Sequence, residues 1–293
     1  MNNTLVNAKW HTYKTQNSTL GSPALTSNEY EMISAFEAND KAHQLEVVSS
    51  SDGKQWSELQ QVGKNSTSTG PALAFFNNKY YCAFKANDPS NKLYVASSES
   101  GGIWPDQDFQ QVGLNSTSAA PALAVFDSKL YCAFKANDQS NNLYLTYTED
   151  GVKWVGIQQI GNNSTSAGPA LATFNNKLYC AFKANDDSNK LYIISSANGG
   201  TWSDFQQVNN NFTSARPALC VFDEQLYCAF KANDTSNKLY IISSENGKSW
   251  PNLRQVGENT TSAGPALTVF DNKLYCAFKA SDGSNALYMA SIS

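Results

Sequence analysis

The stretch Ser214–Trp250, SARPALCVFDEQLYCAFKANDTSNKLYIISSENGKSW, is the clearest copy of a line that the chain repeats six times. Its Pro-Ala-Leu returns at Pro23, Pro71, Pro121, Pro169, Pro217 and Pro265, with successive spacings of 48, 50, 48, 48 and 48. A period of that size holds several strand-length segments but is too short for a self-contained domain, which points to a propeller or array.

Each copy reads as four strands. The first is Pro-Ala-Leu-x-x-Phe, as in Pro169 to Phe174. A pair such as Asn175-Asn176 turns the chain into a second strand, where Leu178, Cys180 and Phe182 alternate with Tyr179, Ala181 and Lys183 at the strand period of two. Asn-Asp-x-Ser-Asn leads to a third strand, Lys-Leu-Tyr-Ile-Ile-Ser-Ser. Then comes Asp52-Gly53, Asp150-Gly151, Asn198-Gly199 or Asn246-Gly247, a strong hairpin signal because both residues tolerate positive φ. A Trp opens the fourth strand. The second copy carries two extra residues between Trp104 and Phe109, which a surface loop absorbs at small entropic cost.

The ends complete each other. The repeats begin near residues 15, 64, 114, 162, 210 and 258, and the last stops at Leu287–Ser293, one strand short. Residues 1–14, with Trp10 and Tyr13, match the missing segment. The expectation is an all-β, six-bladed propeller of four-stranded antiparallel blades over residues 1–293. Its ring is closed by the N-terminal strand completing the last blade, which removes open sheet edges.

The Ser-Ser-x-Asp/Asn-Gly-x-x-Trp hairpin resembles the Asp-box repeat of sialidase-like propellers, where a similar turn joins the third and fourth strands. At the slot where that family's box prefers Asp, this chain has Ser51, Glu99, Glu149, Ala197 and Glu245. The resemblance implies architecture. It does not carry the activity across, because that family grips its substrate carboxylate with three arginines, and this chain has two, Arg216 and Arg254, in different repeats.

Composition excludes several classes. A net charge of −4 with dispersed lysines gives no basic face for nucleic acid. No apolar run reaches the roughly 18 residues of a membrane span, so no membrane insertion is expected. The start MNNTLVNAKW lacks the basic and apolar regions of a secretory signal, so a cytoplasmic protein, or one released without a visible signal peptide, is expected. Five of the six cysteines, Cys82, Cys132, Cys180, Cys228 and Cys276, share one slot in five repeats, farther apart than the roughly 7 Å Cα separation a disulfide tolerates. Cys220 and Cys228 alone share a repeat. Buried free thiols are the expected state.

Function is sought at the end of the ring that gathers the turn between second and third strands and the crossover from fourth strand to next blade. The crossovers carry Asn65-Ser-Thr-Ser68 and its equivalents at Asn115, Asn163, Asn211 and Asn259. With Asn17, these also read as glycosylation acceptors, though here they are taken as turn residues. The turns supply Lys85, Asn87, Asp88 and Asn91; Lys135, Asn137, Asp138 and Asn141; Lys183, Asn185, Asp186 and Asn189; Lys231, Asn233, Asp234 and Asn237; and Lys279, Asp282 and Asn285. Carboxamide, carboxylate and ammonium groups of this kind suit the adjacent hydroxyls of a sugar, and repeated shallow sites gain from multivalency. The first copy departs, with Glu37 for the lysine, Ser34 for the cysteine and His43 after Asn39-Asp40.

The sequence therefore reads as a non-catalytic, multivalent carbohydrate-binding propeller with glycan partners, no cofactor and no metal. The alternative is a scaffold, or a designed or protein-binding propeller, using the same loops. A glycosidase needs two carboxylates placed about one bond, and near-identical repeats offer no unique pair. With only His11 and His43, a catalytic triad or His-rich metal centre is not expected. The Asn-Asp-x-Ser-Asn oxygens would suit calcium but lack the EF-hand spacing.

Overall fold

A computed structural model describes residues 9–106 and 109–293, and its 24 strands form six four-stranded sheets. Among the described residues there is no helix. The first blade comprises β2 (Ala24–Ser27), β3 (Met32–Glu37), β4 (Gln44–Ser50) and β5 (Gln60–Ser66). The second has β6 (Ala72–Phe76), β7 (Lys79–Lys85), β8 (Lys92–Ser98) and β9 (Phe109–Ser116). The third has β10 (Ala122–Phe126), β11 (Lys129–Lys135), β12 (Asn142–Thr148) and β13 (Val155–Ser164). The fourth has β14 (Ala170–Phe174), β15 (Lys177–Lys183), β16 (Lys190–Ser196) and β17 (Gln206–Phe212). The fifth has β18 (Ala218–Phe222), β19 (Gln225–Lys231), β20 (Lys238–Ser244) and β21 (Arg254–Thr260). The sixth takes β22 (Ala266–Phe270), β23 (Lys273–Lys279) and β24 (Ala286–Ile292) from the C-terminal end and β1 (His11–Ser18) from the N-terminal end.

β1 lies antiparallel to β24, with His11 opposite Ser291 and Tyr13 opposite Met289, so the ring closes without a covalent join. Residues 1–8, 107 and 108 lie outside the described residues, the last two within the segment between Trp104 and Phe109 that carries the two-residue insertion.

Both faces of each blade are buried, which explains why the second strands read as nearly continuous apolar runs. Leu178, Cys180 and Phe182 pack against the third blade, while Tyr179 and Ala181 pack against the fifth. Each junction thus interleaves one face of a blade with the opposite face of the next, and the core is six such seams. The thiols fill these seams. Cys82, Cys132, Cys180, Cys228 and Cys276 are fully buried, and all six cysteines are free. Cys220 pairs in register with Tyr227 rather than with Cys228, so the two sulfurs point to opposite faces of the sheet.

The turn chemistry follows the sequence. Asn77-Asn78, Asp127-Ser128, Asn175-Asn176, Asp223-Glu224 and Asp271-Asn272 all hold two consecutive positive φ angles, the primed turn that matches strand twist. In the other hairpin, Asp52 Oδ1 accepts from the backbone N–H groups of Lys54 and Gln55, both at 2.8 Å, and Asp150 does the same for Val152 and Lys153. Gly151 is fixed twice over. Its φ is +79°, and a Cβ there would lie 1.9 Å from the Tyr81 hydroxyl of the preceding blade.

Candidate functional site

The rim residues singled out by sequence do gather at one end of the ring. Lys85 Nζ donates to Ser68 Oγ of the crossover at 2.6 Å, and Lys135, Lys183 and Lys231 reach Ser118, Ser166 and Ser214 at 2.8–2.9 Å. Lys279 reaches across the closing junction to the Leu20 carbonyl at 3.0 Å. Partial burial lowers the ammonium pKa of Lys85, Lys135, Lys183 and Lys231, with the neighbouring aspartates opposing.

Much of the repeated Asn-Asp-x-Ser-Asn string builds the turn itself. Asp88 Oδ1 accepts from both the backbone N–H and the hydroxyl of Ser90, and the same pairing recurs at Asp138, Asp186 and Asp234. Asp282 accepts the Ser284 N–H at 2.9 Å. These hydrogen bonds favour the ionised form and hold all five carboxyls below the usual range. Asn91, Asn141, Asn189, Asn237 and Asn285 each occupy a left-handed position with φ between 50° and 58°, where Asn is favoured over most side chains. What remains uncommitted is the first carboxamide. Asn87, Asn137, Asn185 and Asn233 are exposed, and their side chains make no hydrogen bond among the described residues.

Sequence reasoning passed over the aromatic floor beside these turns. Phe278 and Tyr288 stack with centroids 5.6 Å apart and planes 16° from parallel. Together with Glu258, Asn259, Ser281 and Asp282 they line a rim cleft of about 210 Å³ between the fifth and sixth blades. The equivalent pairs are Phe84–Tyr94, Phe134–Tyr144, Phe182–Tyr192 and Phe230–Tyr240, at 5.9 Å each. The signal was in the text, since Lys/Asn-Leu-Tyr opens four of these third strands. A buried-strand reading left no reason to single out its half-exposed Tyr.

The first blade breaks the pattern. Glu37 is buried, and His43 Nδ1 lies 2.6 Å from its Oε1. Burial raises the Glu37 pKa, while His43, Lys279 and Lys85 pull the other way. Glu46 stands in the slot of the stacking Tyr and is also buried, with its pKa raised by burial and by nearby Asp40.

At the opposite end, where the Gly hairpins and tryptophans lie, a cleft recurs between adjoining blades. Between the fifth and sixth it holds about 240 Å³ and is lined by Trp10, Tyr227, Ser243, Asn252, Arg254 and Gln255 among others. Between the second and third it holds about 240 Å³, with Tyr81, Ser97, Phe109, Gln110 and Asp150. Between the sixth and first it opens to about 570 Å³, with Tyr13, Lys14, Asn17, Lys54, Trp56 and Leu59. The widening has a sequence cause. Seven positions separate Trp10 from Asn17, against nine from Trp56 to Asn65, so β1 lacks two residues that fill the seam elsewhere.

A side-chain hydrogen bond couples the seam tyrosines to the third strand of their own blade, Tyr179 to Ser195 and Tyr227 to Ser243. The tryptophans that open the fourth strands are buried at Trp104, Trp154 and Trp250 and partly exposed at Trp10, Trp56 and Trp202. Among the described residues no cluster of three His, Cys, Asp or Glu side chains could hold a metal ion, and no helix is long and apolar enough to cross a membrane.

No protein-family model matches the chain, and no curated protein does. Solved structures are similar in fold. A protein of unknown function from Dyadobacter fermentans superimposes with a TM-score of 0.69 at 11% identity, covering 96% of this chain and 99% of that one. The phage phi92 endosialidase gives 0.72 at 11% identity, over 98% of this chain and 69% of its own. The Trypanosoma rangeli sialidase in complex with sialic acid gives 0.65 at 14% identity, over 97% of this chain. The chain spans only 56% of that sialidase. At such identities the likeness shows the six-bladed propeller.

Proposed function

We propose that the protein is a non-catalytic, multivalent glycan-binding propeller whose sites are the clefts between adjoining blades. The observation that carries this reading is the recurrence, at three junctions, of one cleft that sets an aromatic ring beside hydroxyl and amide groups. An aromatic face covers the apolar side of a sugar ring, while hydroxyls and carboxamides both donate and accept around its edge. Volumes near 240 Å³ fall below the roughly 300–1,000 Å³ of pockets for larger organic ligands and suit a single sugar ring. Repetition around the ring then compensates for weak single sites when the target surface is itself repetitive.

The absence of catalysis is part of the proposal, and the placement of the two arginines supports it. Arg254 lines the cleft between fifth and sixth blades, and Arg216 lies on the central axis, so they do not converge on one carboxylate. A second reading puts the glycan on the rim, and the free carboxamides of Asn87, Asn137, Asn185 and Asn233 favour it.

A glycan array with haemagglutination identifies a binding sugar. Calorimetry with that sugar then counts sites in Ser97→Ala and in Asn87→Ala/Asp88→Ala. The inter-blade reading expects Ser97→Ala to lose one site and the rim pair to lose none. The reverse result moves the site to the rim, and silence on the array and in haemagglutination removes glycan binding altogether.

A further inference from the structure

The central axis is where the repeats stop being alike. The Pro-Ala-Leu segments enclose an axial cavity of about 70 Å³. The innermost strands β2, β6, β10, β14, β18 and β22 each pair on one side only, so their free backbone edges face this space. The residues before the six prolines are Ser22, Gly70, Ala120, Gly168, Arg216 and Gly264. Crowding explains the glycines. A Cβ on Gly70, Gly168 or Gly264 would meet the carbonyl oxygen of Ser22, Ala120 or Arg216 at 2.3, 2.4 or 2.5 Å.

One long side chain enters this crowded ring. Arg216 Nη1 crosses from the fifth blade to donate to the Pro71 carbonyl before the second, at 3.1 Å. Its Nε–H is sealed from solvent and has no partner among the described residues, while part of the side chain remains accessible from the crossover end. Burial pulls the guanidinium down to about 10, and no carboxylate pulls the other way. It therefore stays charged at neutral pH, and no carboxylate beside it offsets that charge.

We propose that the axial cavity binds a small monovalent anion, a halide or a carboxylate of formate size, with the accessible N–H groups of the Arg216 guanidinium as its principal donors. Inward N–H groups of the free strand edges supply further donors, and one competing carbonyl, that of Pro71, is already capped by the same guanidinium. The cavity is too small for a sugar ring, so this site is independent of the inter-blade clefts.

The test compares melting temperatures in sodium chloride, sodium formate and sodium gluconate at equal ionic strength, for the wild type and Arg216→Met. An anion that fills the site stabilises the native state by mass action, so chloride and formate are expected to raise the wild-type Tm by about 3 °C over bulky gluconate, saturating with concentration. Arg216→Met should show no such difference. Equal responses in wild type and variant, or no wild-type difference, overturn the proposal. Should Arg216→Met not fold, wild-type crystals grown in sodium bromide decide: an anomalous peak within hydrogen-bonding distance of the Arg216 guanidinium supports the site, and its absence removes it.

Discussion

Removing one oxygen atom from the closing strand tests how that strand is held against the first blade. Tyr13 Oη donates to the Gly53 carbonyl at 2.5 Å and accepts the Trp56 indole N–H at 3.0 Å. At other junctions a glutamine does this work. Gln110 Nε2 reaches the Gly151 carbonyl and Gln206 Nε2 the Gly247 carbonyl, both at 2.9 Å, and Gln158 reaches Gly199. Tyr13→Phe keeps the aromatic ring in the seam and deletes both bonds between the closing strand and the first-blade hairpin it packs against.

Each intramolecular hydrogen bond contributes about 0.5–1.5 kcal/mol net, and more is lost when a sealed partner is left unpaired. Gly53 is buried and Trp56 only partly so, which places the loss at about 2 kcal/mol. The single glutamine bond removed by Gln110→Ala should cost about 1 kcal/mol. Urea denaturation provides the assay, with a fall in midpoint at unchanged slope as the signature of lost stability. Combined with Trp56→Phe, a double-mutant cycle should return a coupling of at least about 0.5 kcal/mol. A Tyr13→Phe protein within about 0.3 kcal/mol of wild type, or a cycle without coupling, would refute this account of the seam.

Two further predictions rest on burial. It pushes the Tyr13 and Tyr227 phenols up to about 12 from the ordinary 10, so the folded state holds those protons more tightly than the unfolded chain. That stability is complete below pH 10 and is lost as pH rises towards 12; denaturation at pH 9 and 11 should show the loss, and Tyr13→Phe should show less of it. Burial also raises the thiol pKa of Cys82, Cys132, Cys180, Cys228 and Cys276. Reaction with a colorimetric disulfide reagent should therefore wait for opening of the seams and accelerate across the urea transition; prompt labelling of these thiols in the native protein would contradict their placement.

The fold was legible because its determinants are local and repeated. A period-two pattern bounded by Asn-Asn and Asp-Gly turns specifies hairpins, and fixed spacing stacks them. The ring closure was legible too, since Trp10 and Tyr13 resemble the start of a missing strand. The candidate site was less so. Asp88 and Asn91 stood out for their uniformity, yet one bonds Ser90 and the other supplies a left-handed turn residue. The clefts arise between strands of different repeats, and Tyr81 meets Gly151 across a separation that no local pattern encodes. Glu37 and His43 were visible as departures, but their pairing depends on the third dimension.

Uniformity among these loops is thus mostly explained by folding, because a turn built from Asp, Ser and left-handed Asn admits few substitutes at each position. Positions that folding does not fix carry more information about function, and they are the ones where the repeats differ. The seam between sixth and first blades is short by two residues and opens to about 570 Å³, more than twice the 240 Å³ at the other two junctions where this cleft is found. Lys14, Lys54 and Glu58 line it beside Trp56, the cleft between fifth and sixth blades has Lys9 and Arg254 without a carboxylate, and that between second and third has Asp150 beside Lys79. Equal sites would bind one sugar with one affinity. This asymmetry instead predicts one larger site among smaller ones that differ in charge, and hence a calorimetric isotherm with at least two classes for an acidic oligosaccharide and one class for a neutral monosaccharide. A single class for both would mean that the wide seam is a consequence of ring closure alone.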